Sequence, residues 1–247
     1  MDPRARRRGG SRRREGLRVM TIESFAAERE WTVDEIPVLS ARVEVPQPVP
    51  CAGRTARRIR RYYQLQCRSY LRYCEKWLLP QARAEYQAAL ASSTPLPRFQ
   101  AELGYRVTYQ DGRFLSLYTQ SRETLGSRTA VTRRGDTWDL AEGYPVPLQS
   151  FLPPRFPWRK HLTALAAEEI QRRERAGAAR YREDWRRRLR RGLDPRNYYL
   201  TEDGAVFFYP MYALAPAAEG IPTFLLPYGD ALARPGGGAE ASAPPET

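Results

Sequence analysis

Asn197-Tyr-Tyr-Leu-Thr-Glu-Asp-Gly-Ala-Val-Phe-Phe-Tyr-Pro-Met-Tyr-Ala-Leu-Ala-Pro-Ala-Ala-Glu-Gly-Ile-Pro-Thr-Phe-Leu-Leu-Pro-Tyr228 is the stretch that decides the fold. Asp203-Gly204 falls between two aromatic and β-branched runs. Glycine accepts the positive φ of a tight hairpin turn, so the order strand, turn, strand is expected. An aromatic-proline loop, a glycine and a third strand follow. Three strands joined this closely call for an antiparallel sheet.

Upstream, Trp158 to Arg191 reads as one long helix. Trp158, Leu162, Leu165, Ile170, Ala178, Tyr181, Trp185 and Leu189 form an intermittent apolar stripe. Gly177 weakens its middle by about 1 kcal/mol relative to alanine. Further upstream, Arg98–Tyr109, Phe114–Arg122 and Arg128–Asp139 read as strands, the first two joined by the Asp111-Gly112 turn. In the second, Leu115, Leu117 and Thr119 share one face and Ser116, Tyr118 and Gln120 the other. Glu142-Gly143 marks a turn. Ala52 to Ala91 has helical spacing, with Pro80 expected to kink or divide it. Glu35 to Pro46 alternates as a strand, ended by Pro46, Pro48 and Pro50.

The expected fold class is therefore α+β, a mainly antiparallel sheet with two long helices in the order β-α-β-β-β-α-β-β-β. Residues 1–30 are read as a basic tail, with Met20 as an alternative start, and residues 230–247 as a second tail. One domain of residues 31–229 lies between them, with halves 31–125 and 126–229.

The formal charge is +13, and it is concentrated. Residues 1–19 hold eight Arg against Asp2 and Glu15, and Arg155 to Arg196 hold fourteen Lys/Arg against six acids. All the bases except Lys76 and Lys160 are arginine, which suits bidentate phosphate or carboxylate contacts but also follows from compositional bias. Cys51, Cys67 and Cys74 make an odd set. On a helix the last two stand about 10 Å apart along the axis, beyond disulfide reach, so free buried thiols are expected. No run nears the roughly 18 apolar residues of a membrane helix. No apolar segment follows the N-terminal arginines, so a cytoplasmic location is expected.

Catalytic chemistry finds no constellation. His161 is the sole histidine, no C-x-x-C occurs, and no Gly-x-Ser-x-Gly elbow or phosphate-binding glycine loop is present. No metal site and no cofactor are expected, and the chain is read as a non-enzyme.

Three blocks carry a family resemblance. They are Val43-Glu-Val-Pro-Gln47, then Thr132-Arg-Arg-Gly-Asp-Thr-Trp-Asp-Leu-Ala-Glu-Gly143 with Leu148 and Phe151, and the Asn197–Tyr228 stretch. Together they resemble the RsiV-like domain family, the extracellular domain of anti-sigma-V-type factors, also found in front of some peptidoglycan deacetylases. That resemblance implies a module that acts by binding a protein or cell-envelope ligand. Many members carry a Gly-Gly-Ala-His-Gly-like motif between the central strands. The matching positions here read Leu125-Gly126-Ser127-Arg128-Thr129, without the histidine.

The candidate ligand-binding residues are Gly126, Ser127 and Arg128, with Tyr209 and Tyr212 of the aromatic-proline loop. Lysozyme, the ligand of well-understood members, is commonly basic, and like charges oppose its encounter with this basic chain. The alternative is weak binding of nucleic acid or another polyanion through Arg172, Arg173, Arg180, Arg187, Arg188 and Arg191. A monomer is expected.

Overall fold

The computed structural model describes residues 20–229 and 231–235. The arginine-rich stretch 1–19 and the glycines at 236–238 lie outside them. Strands β1 (Thr21–Val33) and β2 (Ile36–Val49) form a long hairpin. A helical rod follows: α1 (Gly53–Tyr73), a π turn (Cys74–Leu78) and α2 (Leu79–Ser92). Next come β3 (Phe99–Gln110), β4 (Phe114–Leu125), β5 (Arg128–Asp139) and the two-residue β6 (Tyr144–Pro145). Then α3 (Trp158–Arg175), α4 (Trp185–Gly192), β7 (Tyr198–Leu200), β8 (Gly204–Phe208) and β9 (Thr223–Pro227) complete the fold.

The first six strands form one sheet in sequence order, and β7-β8-β9 form a second. All pairs are antiparallel except β2 with β3. That parallel pair follows from the helical rod, which carries the chain back across the sheet before β3 begins. The expected α+β class holds, with the strands split between two sheets.

Three corrections to the sequence reading have physical causes. Residues 21–30, assigned to the basic tail, belong to β1, whose polar, two-faced exposure gives no period to read. The prolines at 46 and 48 do not end β2, because they pair only along its β1 side. The long helix of 158–191 stops at Arg175. Gly177 takes φ +62° there, and α4 starts only at Trp185. Left-handed backbone is what a glycine just past a helix end supplies.

Pro80 is absorbed without a break. The Leu79 N–H reaches the Cys74 carbonyl, five residues back, so the helix widens by one residue just before the proline. A proline ring crowds the carbonyl four residues earlier, and a π turn gives that crowding room.

One face of the large sheet packs on the helical rod. Val43, Val45, Leu103, Leu115, Leu117 and Trp138 meet Ile59, Tyr63 and Cys67 there. Cys67 and Cys74 are buried free thiols, and burial, with Glu123 nearby, pushes Cys74 up to about 12. On the opposite face, the small sheet lies across the β4–β5 end. The Leu200 N–H donates to Ser116 Oγ at 2.8 Å, and that hydroxyl also meets Thr137 Oγ1 at 2.8 Å. β7 comes so close to β5 that a Cβ on Gly135 would lie 1.8 Å from the Tyr198 carbonyl oxygen. The helices α3 and α4 cover the far side of the small sheet through Leu162, Ala166, Ile170, Trp185 and Leu189.

Candidate ligand-binding surface

The small sheet covers only part of the large one. Beyond its edge, no described residue covers the outer face of β2, β3 and β4, which carries a cavity of about 500 Å³. Strand register builds it from residues that face the same side. Arg122 stands across from Glu102, Gln120 across from Gly104, and Tyr118 across from Arg106. On β2, Arg42 is level with Glu102. Arg42 bonds Glu44 at 2.9 Å along its own strand. Gly104 leaves bare backbone as the floor, since a Cβ there would meet nothing within 4 Å. A second cavity of about 490 Å³ continues the same face toward β1, sharing Arg42 and Glu102.

The small sheet supplies an aromatic wall. The Arg133 guanidinium donates twice to Gln120 Oε1, at 3.0 and 2.7 Å. It lies 4.4 Å from the Tyr118 ring centre and 5.9 Å from those of Tyr199 and Phe208. Cation–π attraction and the paired amide fix this arginine at the rim, where it orients Gln120 and Tyr118. The surface therefore offers guanidinium, carboxylate, amide and aromatic groups on rigid strands. This combination suits hydrogen-bonded recognition of a polar ligand rather than burial of an apolar one.

A second polar cluster lies on the other side of β5, under α1. Asp136 accepts from Tyr62 Oη and Tyr63 Oη at 3.2 Å each and from Arg134 Nε at 3.4 Å. Trp138 Nε1 donates to Tyr63 Oη at 3.0 Å. Burial pushes the Asp136 carboxyl above its ordinary range, against the opposing pull of Arg134 and the two tyrosine hydroxyls. With both oxygens taken by internal donors and only 4% of the side chain exposed, this carboxylate anchors α1 to β5.

The residues singled out from the sequence do not converge. Gly126, Ser127 and Arg128 sit exposed at the β4–β5 turn, where Gly126 has φ +60°. A cavity of about 380 Å³ there is closed on its other side by Gln81, Ala84 and Glu85 of α2. Tyr209 is fully buried, its hydroxyl donating to the Leu189 carbonyl at 3.0 Å, so it supports α4 rather than a surface. Tyr212 is exposed with φ +67°. The open-face residues Arg42, Glu102, Arg106 and Arg122 escaped the sequence reading. Their signal, charges on alternate strand positions, is the same as that of any solvated face.

The arginine set is also dispersed. Arg172 and Arg173 both grip Glu169 at 2.7 Å, and Arg187 and Arg188 both grip Asp184 at 2.8 and 2.7 Å. Arg173 further donates to the Thr223 carbonyl and lies over Phe224. The break at 176–184 separates Arg172 and Arg173 from Arg187, Arg188 and Arg191, with Arg180 inside it. Paired arginines on two short helices make no continuous stripe for a phosphate backbone.

Among the described residues, no three His, Cys, Asp or Glu side chains gather as a metal site, and no helix is long and apolar enough to cross a membrane.

No curated protein matches the chain. Solved structures that share its fold include two of the DUF3298 family. One is a member of the DUF3298 family from Bacteroides fragilis, with TM-score 0.59 and 14% identity over 85% of this chain and 90% of that one. Another is a DUF3298 family protein from Pseudomonas aeruginosa, with TM-score 0.53 and 17% identity over 85% of this chain and 91% of that one. Residues 151–229, from the loop before α3 through β9, match the family described as Protein of unknown function (DUF3298).

Proposed function

We propose that this chain is a non-enzymatic binding module of the RsiV-like kind, whose ligand is a protein or cell-envelope component. The reading rests on one observation, the uncovered face of β2, β3 and β4 with its cavity of about 500 Å³. A face that the described residues leave uncovered, floored by glycine and lined with both charge signs, favours a ligand rich in hydrogen-bonding groups. Arg42, paired with Glu44, and Arg106 and Arg122 are its exposed cations, and Tyr118 is its aromatic contact. Gly126, Ser127, Arg128 and Tyr212 lie outside this cavity and belong to the proposal only as a secondary contact region.

The test is a binding panel with lysozyme, a teichoic-acid-like polyanion, duplex DNA and RNA, titrated with salt. The double substitution Arg106→Ala/Arg122→Ala is compared with Arg187→Ala/Arg188→Ala. Salt-resistant binding of one ligand, weakened at least about tenfold by the first pair only, is the expected result (about 1.4 kcal/mol). Binding that collapses with salt and falls with the second pair would replace this reading with non-specific polyanion attraction.

A further inference from the structure

Trp31 is the one buried residue of β1, although the strand runs for 13 residues. Phe25 is among its exposed side chains. β1 stands at the end of the six-stranded sheet, so among the described residues one side of its backbone has no neighbouring strand. The fold itself gives no reason for so long and so bare an edge.

The prolines of β2 reveal which amides face out. Pro46 and Pro48 stand opposite Ser24 and Ile22. Proline has no N–H, and its ring crowds a bonded neighbour, so these are non-bonded pairs of the ladder. The bonded pairs are then Glu23 with Gln47, Phe25 with Val45, and Ala27 with Val43. Ile22, Ser24, Ala26 and Glu28 therefore turn N–H and C=O outward. The same parity explains why β2 stops pairing with β3 after Val43 and Leu103, just ahead of Pro46.

We propose that this edge pairs, antiparallel, with β1 of a second copy of the chain about a two-fold axis at Ala26. Outward-facing backbone groups then meet outward-facing ones. Ala26 bonds Ala26 of the second copy, and Ser24 bonds its Glu28. In the non-bonded positions, where side chains come closer, Glu23 meets Arg29 of the second copy and Phe25 meets its Ala27. The two-fold axis repeats each pair, and no like charges are opposed. Edge strands are commonly defended by charge. Here the charges on β1 are of both signs and complement themselves, while Ser24-Phe25-Ala26-Ala27 carries none. Arg29 also lies 3.3 Å from Glu75, and both side chains are half exposed, so the guanidinium keeps donors to share. A two-fold axis normal to the sheet leaves the Arg42 and Glu44 faces of both copies on the same side. The pairing stands independently of what the open face binds.

The experiment is sedimentation of the full chain across a concentration series, alongside three variants. The native chain is expected to dimerise reversibly. Ala26→Pro removes only an outward N–H, so a folded monomer with an unchanged thermal midpoint is expected. Glu23→Arg sets like charges opposite Arg29 twice and weakens association about tenfold. In a Cys51→Ser background, Ala26→Cys is expected to form an oxidised dimer. Bonded pairs place Cα atoms about 5.5 Å apart, within disulfide range. Glu30→Cys in the same background stays monomeric on a non-reducing gel. A native chain that stays monomeric throughout, or a dimer that survives Ala26→Pro, would overturn the proposal. So would unfolding of that variant, since it would place the Ala26 amide inside the hairpin.

Discussion

Single side chains decide whether the layers of this molecule hold together, and Asp136 is the most exposed to test. It ties α1 to β5 through Tyr62 and Tyr63, while Arg134 of its own strand holds it in place. Asp136→Ala deprives the half-buried Tyr62 and buried Tyr63 hydroxyls of their acceptor and is expected to cost about 3 kcal/mol in urea unfolding. Asp136→Asn separates charge from shape. The Asp136 carboxyl titrates above its unfolded value, so the folded state holds the proton more tightly. Its contribution is therefore most favourable at low pH and is lost as pH rises through the folded pKa. The Asn variant should gain on the native chain as pH rises from about 4 toward neutrality. A constant difference across that range would show that Asp136 titrates normally. Glu169 has the opposite sign. Its hydrogen bonds with Arg172 hold it down to about 2, so its contribution is present above the ordinary Glu range and fades as pH falls toward that value.

The elements show how far local sequence carries. Hairpin turns are legible because their chemistry is local. The Asp111 carboxylate accepts the Arg113 and Phe114 amides at 2.7 and 2.6 Å, and the Thr201 N–H reaches the Gly204 carbonyl at 2.8 Å. The strand positions of 99–139 and 198–227 follow from those turns and from side-chain alternation. What escaped depends on tertiary partners. β1 has no buried face to impose a period, and the helix through Pro80 survives by a π turn that no spacing rule announces. The candidate site was less legible than the fold. Tyr209 has the composition of a ligand contact, yet its position beneath α4 is a tertiary fact.

Gly177 ends α3 rather than weakening the middle of one longer helix. Gly177→Ala forces a side chain into φ +62°, which should cost about 1 kcal/mol and shift the thermal midpoint a few degrees downward. An unchanged or raised midpoint would mean that α3 and α4 can join into one rod.

For the whole molecule, the two sheets share one structural fate. The core of the 151–229 region takes in Tyr109 and Phe114 from β3 and β4 and Leu148 from the preceding loop. Ser116 and Thr137 supply the polar contact beneath β7. Residues 151–229 expressed alone are therefore expected to lack a cooperative unfolding transition by circular dichroism, despite matching a family as a unit. A sharp transition in that fragment would show that the large sheet is only a support.

Gly135 makes this dependence concrete for the history of the sequence. Every other position of β5 has somewhere to put a side chain, and drift there trades one contact for another. At 135 the Tyr198 carbonyl already fills the space that the smallest substituent would need. Any side chain at this carbon requires β7 to move with it.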